Sequence, residues 1–192
     1  MKKITSLLAV MAMAVLSLTM TSCDEDVYVA DTLEGVWRGN MHVYSEWNGQ
    51  VYTAYETEIA FDSNPYEYSS GTGYWIDYYS GAPWDYFASH IEWTVDDGVI
   101  SIYSIEDNSY FYIYDYSLSG GRFRGWMDSD YNDPMQFDLS KVASPNWDDY
   151  EWGWDYWYDS YYNDYPYPYS RSGAAEAAKP VRKIGVAPDT IE

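Results

Sequence analysis

Seven clusters of turn-forming residues, set at short intervals between Val36 and Lys141, limit what this chain can become more than any other feature. They are Asn48-Gly49, Asp62 to Pro65, Ser80 to Pro83, Asp96 to Gly98, Glu106 to Ser109, Ser119 to Gly121 and Ser129 to Pro134. Asn-Gly and Asp-Gly supply the positive φ angles of tight hairpin turns, so such pairs between alternating runs mark hairpins. Seven turns leave eight runs, and no stretch among them has a helical period. In most, one face is apolar at every second residue, as a half-buried antiparallel strand requires. The first run sets Trp37, Met41, Val43 and Trp47 against Arg38, Asn40, His42 and Glu46, and the second sets Val51, Tyr55, Ile59 and Phe61 against Glu56, Glu58 and Asp62. In the fourth, Phe87, Ile91, Trp93 and Val95 oppose His90 and Glu92, and in the last, Met135, Phe137 and Leu139 oppose Gln136, Asp138 and Ser140. The fifth and sixth are apolar or aromatic on both faces. Local hairpins in series predict an all-β fold, an eight-stranded antiparallel up-and-down barrel, because closure abolishes exposed edges.

At the entrance to the first strand stands LEGVWRGNM, with Gly35 and Trp37 in a Gly-x-Trp pattern. This resembles the opening of lipocalins and of the smaller lipocalin-like relatives found among Bacteroidetes lipoproteins, over residues 33–142. The resemblance implies that an Arg or Lys from the last part of the barrel lies over Trp37 and helps close the floor, as a cation over an indole face would. Arg122, Arg124 and Lys141 are available, and Arg124 is the expected one because it alternates with Phe123 and Gly125 in GGRFRGWM. The chain departs from the family in having no evident helix after the barrel and strands short for a deep cup. A membrane-spanning barrel would alternate as well, but such barrels pair short turns with long outer loops, and all seven connections here are short.

Ahead of the barrel, Lys2 and Lys3 precede an apolar run from Leu7 to Leu18, and Thr21 and Ser22 lead into Cys23, the sole cysteine. About 12 apolar residues fall short of the roughly 20 that a spanning helix needs, so the run reads as a signal peptide. Its end, LTMTSC, resembles the lipobox of bacterial lipoproteins. That resemblance implies loss of residues 1–22, lipidation of Cys23, and an anchor and linker over 23–32. An ordinary signal peptide with a chance cysteine is the alternative. CDED after the cut is similar to the acidic export stretch of some Bacteroidetes lipoproteins, so the implied address is the outer membrane, with surface exposure open. The mature chain would keep 8 Lys and Arg against 31 Asp and Glu, a balance of −23. Clustered cations are what phosphate backbones need, so no nucleic acid is expected. Charge would not hold the chain to anionic lipid either, which leaves attachment to the acyl chains.

Past the barrel, residues 143–170 change character. Pro145 to Ser170 holds 4 Trp, 8 Tyr and 6 acidic residues with no aliphatic side chain and no base. Trp152, Trp154 and Trp157 could stack on sugar rings beside carboxylates that accept hydroxyl hydrogen bonds, or form a contact surface for another envelope protein. The plainer reading is a low-complexity extension, disordered or folded back over the barrel mouth. In residues 171–192, Arg171, Lys179, Arg182 and Lys183 could meet the acidic body, and the simpler reading is a flexible terminus.

Catalysis finds no constellation. The two histidines, His42 and His90, fall on polar faces of different strands, and no Ser-His-Asp order, phosphate loop or paired-cysteine spacing occurs. DSDYND, Asp128 to Asp133, opens like a calcium loop but has Asp133 where the sharp turn needs Gly and Leu139 where a bidentate Glu belongs. Neither metal nor cofactor is expected. The expected function is noncatalytic binding of a small apolar or glycan ligand at the barrel mouth, with Tyr74, Tyr78, Tyr112 and Tyr114 as further candidates. Tyr66, Tyr68, Tyr74 and Tyr78 are expected on one face of the third strand, and Tyr110, Tyr112, Tyr114 and Tyr116 on one face of the sixth. The alternative is an interaction module that docks on an envelope protein through its aromatic tail.

Overall fold

A computed structural model describes residues 21–129, 132–153 and 180–188. Helix α1, Thr21–Leu33, precedes β1 (Gly35–Asn40), β2 (Val43–Trp47), β3 (Gln50–Ser63), β4 (Ser70–Tyr79), β5 (Tyr86–Asp96), β6 (Val99–Ser104), β7 (Ser109–Ser119), β8 (Arg122–Ser129), β9 (Asn132–Val142) and β10 (Val181–Ile184). Strands β3 to β9 pair in sequence order, and β1 pairs antiparallel with both β9 and β3, which closes a ring of eight strands. This is the expected barrel. Outside the ring, β2 lies on the first part of β3, and β10 lies on β2.

The first expected run is therefore two strands. His42 sits at φ 55, and its N–H donates to Asn40 Oδ1 at 2.7 Å, so the Asn40 side chain stabilises a sharp turn in the backbone. Beyond that turn β1 no longer follows β9. The buried face survives the kink: Trp37, Met41, Val43 and Trp47 are all buried. Two bulges correct the expected faces further. A register shift between Ala54 and Glu56 puts Ala54 inside and leaves Tyr55 59% exposed. Another, between Tyr114 and Ser117 with Asp115 at φ 48, turns Tyr116 toward Phe123, so Tyr116 leaves the face of Tyr110, Tyr112 and Tyr114. Tyr66 and Tyr68 belong to the exposed turn before β4 and not to the strand.

The floor is built by α1 and the start of β1. Asp26 accepts the N–H groups of Asp97 and Gly98 in the β5–β6 turn, at 3.1 and 3.2 Å, and the Leu33 carbonyl accepts the Trp37 indole N–H at 2.7 Å. The segment expected to be a linker, 23–32, is thus part of a helix docked on the barrel. Lys141, directly across the β1–β9 ladder from Trp37, places its Nζ 5.2 Å from the indole centroid. Gly35 makes this possible, since its φ is 120 and a Cβ there would stand 2.7 Å from Lys141 Cε. The cation over Trp37 is therefore Lys141 and not Arg124. Arg124 is on β8, separated from β1 by β9, on the outer face opposite Phe123 and Gly125, and its Nε donates to Asp138 at 3.0 Å.

Inside, Trp37, Trp75, Trp93, Phe61, Phe87, Phe111 and Phe123 are all fully buried. Burial of each stabilises by about 1.5–3 kcal/mol, and together these rings occupy much of the narrow bore that eight strands enclose.

Candidate functional site

Two features of the barrel bear on binding: its closed mouth and an open cleft in its wall. At the mouth, β10 pairs with β2 and sends Arg182 into the interior, where the side chain is completely buried. Its Nε lies 2.7 Å from Asp77 Oδ2, and its Nη1 lies 2.8 Å from Asp107 Oδ2 and donates to Ser89 Oγ at 2.9 Å. The guanidinium is held between the rings of Trp75 and Phe87, with centroids at 4.7 and 4.5 Å. Asp77 is fixed in turn by donors from Thr57 Oγ1 and Trp75 Nε1, and Asp107 by Ser104 Oγ. Burial opposes the charge on Arg182, but Asp77 and Asp107 outweigh it and raise its pKa above the ordinary guanidinium value. Burial also raises the Asp107 pKa, an effect that Arg182 only partly offsets. Within the terminus expected to be flexible, Val181–Ile184 form a strand that carries Arg182 into the barrel mouth.

The wall cleft, about 570 Å³, opens where β1 turns away from β9 and the β7 bulge draws back from β8. Trp126, one of its lining residues, is 36% exposed, with Asp115, Gln136, Asn40, Arg124 and Asp138 among the polar groups around it. Hydrogen bonds from Arg122 and Arg124 hold the Asp138 pKa below the usual carboxylate range. Two of the residues with positive φ, His42 and Asp115, line the same cleft. An exposed indole beside carboxylate, amide and guanidinium groups can stack on one face of a ring while exchanging hydrogen bonds at its rim.

The closed ring and the Trp37 floor agree with what the sequence resembles. Residues 33–125 match the family model of the lipocalin-like domain. The match runs from the end of α1 into β8, and β9 supplies the strand that closes the lipocalin-like ring. No curated protein matches the chain.

The sequence candidates lie elsewhere on this lipocalin-like barrel. Tyr74 and Tyr78 are on the outer wall of β4, and residues 146–153 fold back over them. Trp147 and Trp152 lie 4.6 and 4.9 Å from the Tyr74 ring, Trp152 is 4.2 Å from His90, and the Tyr78 and Tyr150 hydroxyls are hydrogen bonded at 2.7 Å. The described part of the tail thus covers the barrel wall and not its mouth, and Gly153 N–H donates to the Ala88 carbonyl at 2.8 Å. Tyr112 and Tyr114 stand on the outer wall of β7, and Tyr114 is directly across the ladder from Trp126, at the edge of the cleft. Trp154 and Trp157 are outside the described residues, as are positions 1–20 of the expected leader. Cys23 lies on α1. Trp126 is not among the residues expected from the sequence. The signal was present: in RFRGWM the alternation that buries Phe123, Gly125 and Met127 sets Trp126 beside Arg122 and Arg124 on the polar face, where a tryptophan has no core to fill.

Proposed function

We propose that this chain is a noncatalytic binding module of the cell envelope, held at the outer membrane by a lipid on Cys23, that takes a glycan in the cleft around Trp126. The observation that carries the reading is that an indole is partly open to solvent in a polar cleft, while seven aromatic side chains are packed inside the barrel. The family's fold favours a ligand-binding role over a catalytic one, and the cleft has the mixed chemistry a sugar needs, a flat apolar face with hydrogen-bond partners at its edge. By contrast, Tyr74 and Trp152 spend their faces on each other, which weighs against the tail as the sugar platform. Trp126→Ala is expected to lower affinity for a bound oligosaccharide at least tenfold in titration calorimetry in a variant that stays folded, with a stability loss of about 1–2 kcal/mol because the indole is only 36% exposed. Equal binding by the variant would remove the cleft from the account. For the anchor, Cys23→Ala is expected to move the protein from the membrane to the soluble fraction, and retention in the membrane would contradict lipidation.

A further inference from the structure

The mouth of the barrel has the construction of a recognition site whose occupant is part of the chain itself. The ring of eight strands closes through β1 without β10, so β10 contributes no pairing to the ring. What it does contribute is specific. Arg182 pairs with two buried carboxylates, Ile184 is buried in the core, and Lys183 Nζ meets Glu46 at 2.7 Å on the rim, while the backbone adds a strand to the edge of β2. Main-chain pairing with pockets for alternate side chains is how sheet edges bind extended peptides. Without an arginine, Asp77 and Asp107 would face each other's charge in an apolar bore, a state the protein can hardly hold.

We propose that the mouth is a binding site for an extended Arg-x-Ile segment, filled in cis by Arg182 to Ile184 and open to the same segment from a second copy of this chain. The segment that fits is present in every copy, and its Arg-Lys pair is complementary to the carboxylates of Asp77, Asp107 and Glu46 at the mouth. Exchange of an identical element between copies needs no new contacts, because each copy regains what it released. Such a reciprocal exchange would join two copies through their mouths, a role distinct from glycan binding in the wall.

The test uses the full-length Arg182→Ala chain and a synthetic peptide with the sequence of residues 180–186. The peptide should bind saturably and restore a large part of the thermal stability lost by the variant, and the same peptide with alanine at the arginine position should do neither. Lys183→Ala, which removes only the rim contact, provides a second, folded host, and labelled peptide should enter it faster than wild type. If Arg182→Ala does not fold alone, its recovery of structure on refolding with the arginine peptide, and not with the alanine peptide, is the expected result. Equal effects of the two peptides, or failure of the arginine peptide to enter either variant, would overturn the proposal.

Discussion

Arg182→Ala is expected to lower the stability of the folded chain by about 3–5 kcal/mol, the cost of leaving buried charge without its partner. For a chain of this length that corresponds to a fall of roughly 10 °C or more in Tm. The loss has a definite pH dependence. Burial raises the Asp107 pKa in the folded protein, so this group favours folding below its ordinary pKa and loses that contribution as pH rises through the folded value. Removing Arg182 takes away the charge that offsets burial, which pushes the folded pKa further up and widens the window. The variant should therefore be closest to wild type in acid and furthest from it near neutrality. Thermal melts of both proteins across that range check the prediction, and a destabilisation independent of pH would show that the carboxylates are not what Arg182 satisfies.

Gly73→Ala carries the other large effect. A Cβ at Gly73 would stand 1.9 Å from the Ala60 carbonyl oxygen and 2.9 Å from its carbon, both backbone atoms of β3 across the ladder. No side-chain rotation relieves that contact, so β3 and β4 must separate at the wall of a ring that is closed. The expected loss is about 3 kcal/mol, at the upper end for overpacking. Gly81→Ala is the matched control, since nothing lies within 4 Å of its Cβ position. It should change stability by less than about 0.5 kcal/mol. Comparable melting temperatures for the two variants would mean that the β3–β4 wall is looser than this geometry.

The contrast between these residues shows what a sequence can disclose about such a fold. Turn chemistry and alternation are local, and they located every strand of the ring, including β9 with its buried Phe137 and Leu139. Bulges and kinks escape the same reasoning because one extra residue inverts the face downstream. That is why Tyr116 and Tyr55 changed sides, and why the first strand divides at His42. Arg182 was among the cations that could meet the acidic body, but its burial was hidden for another reason. In VRKI the alternation places Arg182 with Ile184, a mixed face that no hydrophobic pattern marks as buried, and its partners Asp77 and Asp107 lie far away in the chain. A buried ion pair becomes legible only once three distant elements are in place. Lys141 was a named candidate for the Trp37 contact, yet choosing it over Arg124 required the β1–β9 register, in which Trp37 and Lys141 are opposite.

Binding of a glycan at the cleft beside Trp126, outside the barrel bore, is open to direct observation. Its most direct test is a titration of isotope-labelled protein with oligosaccharides, followed by the indole N–H resonances. The account predicts that the Trp126 resonance shifts with ligand, together with amides of Asn40, Asp115 and Gln136, while those of the buried Trp75 and Trp93 stay in place. Shifts confined to Trp75 and Trp93, with Trp126 unmoved, would contradict it and place the ligand inside the barrel.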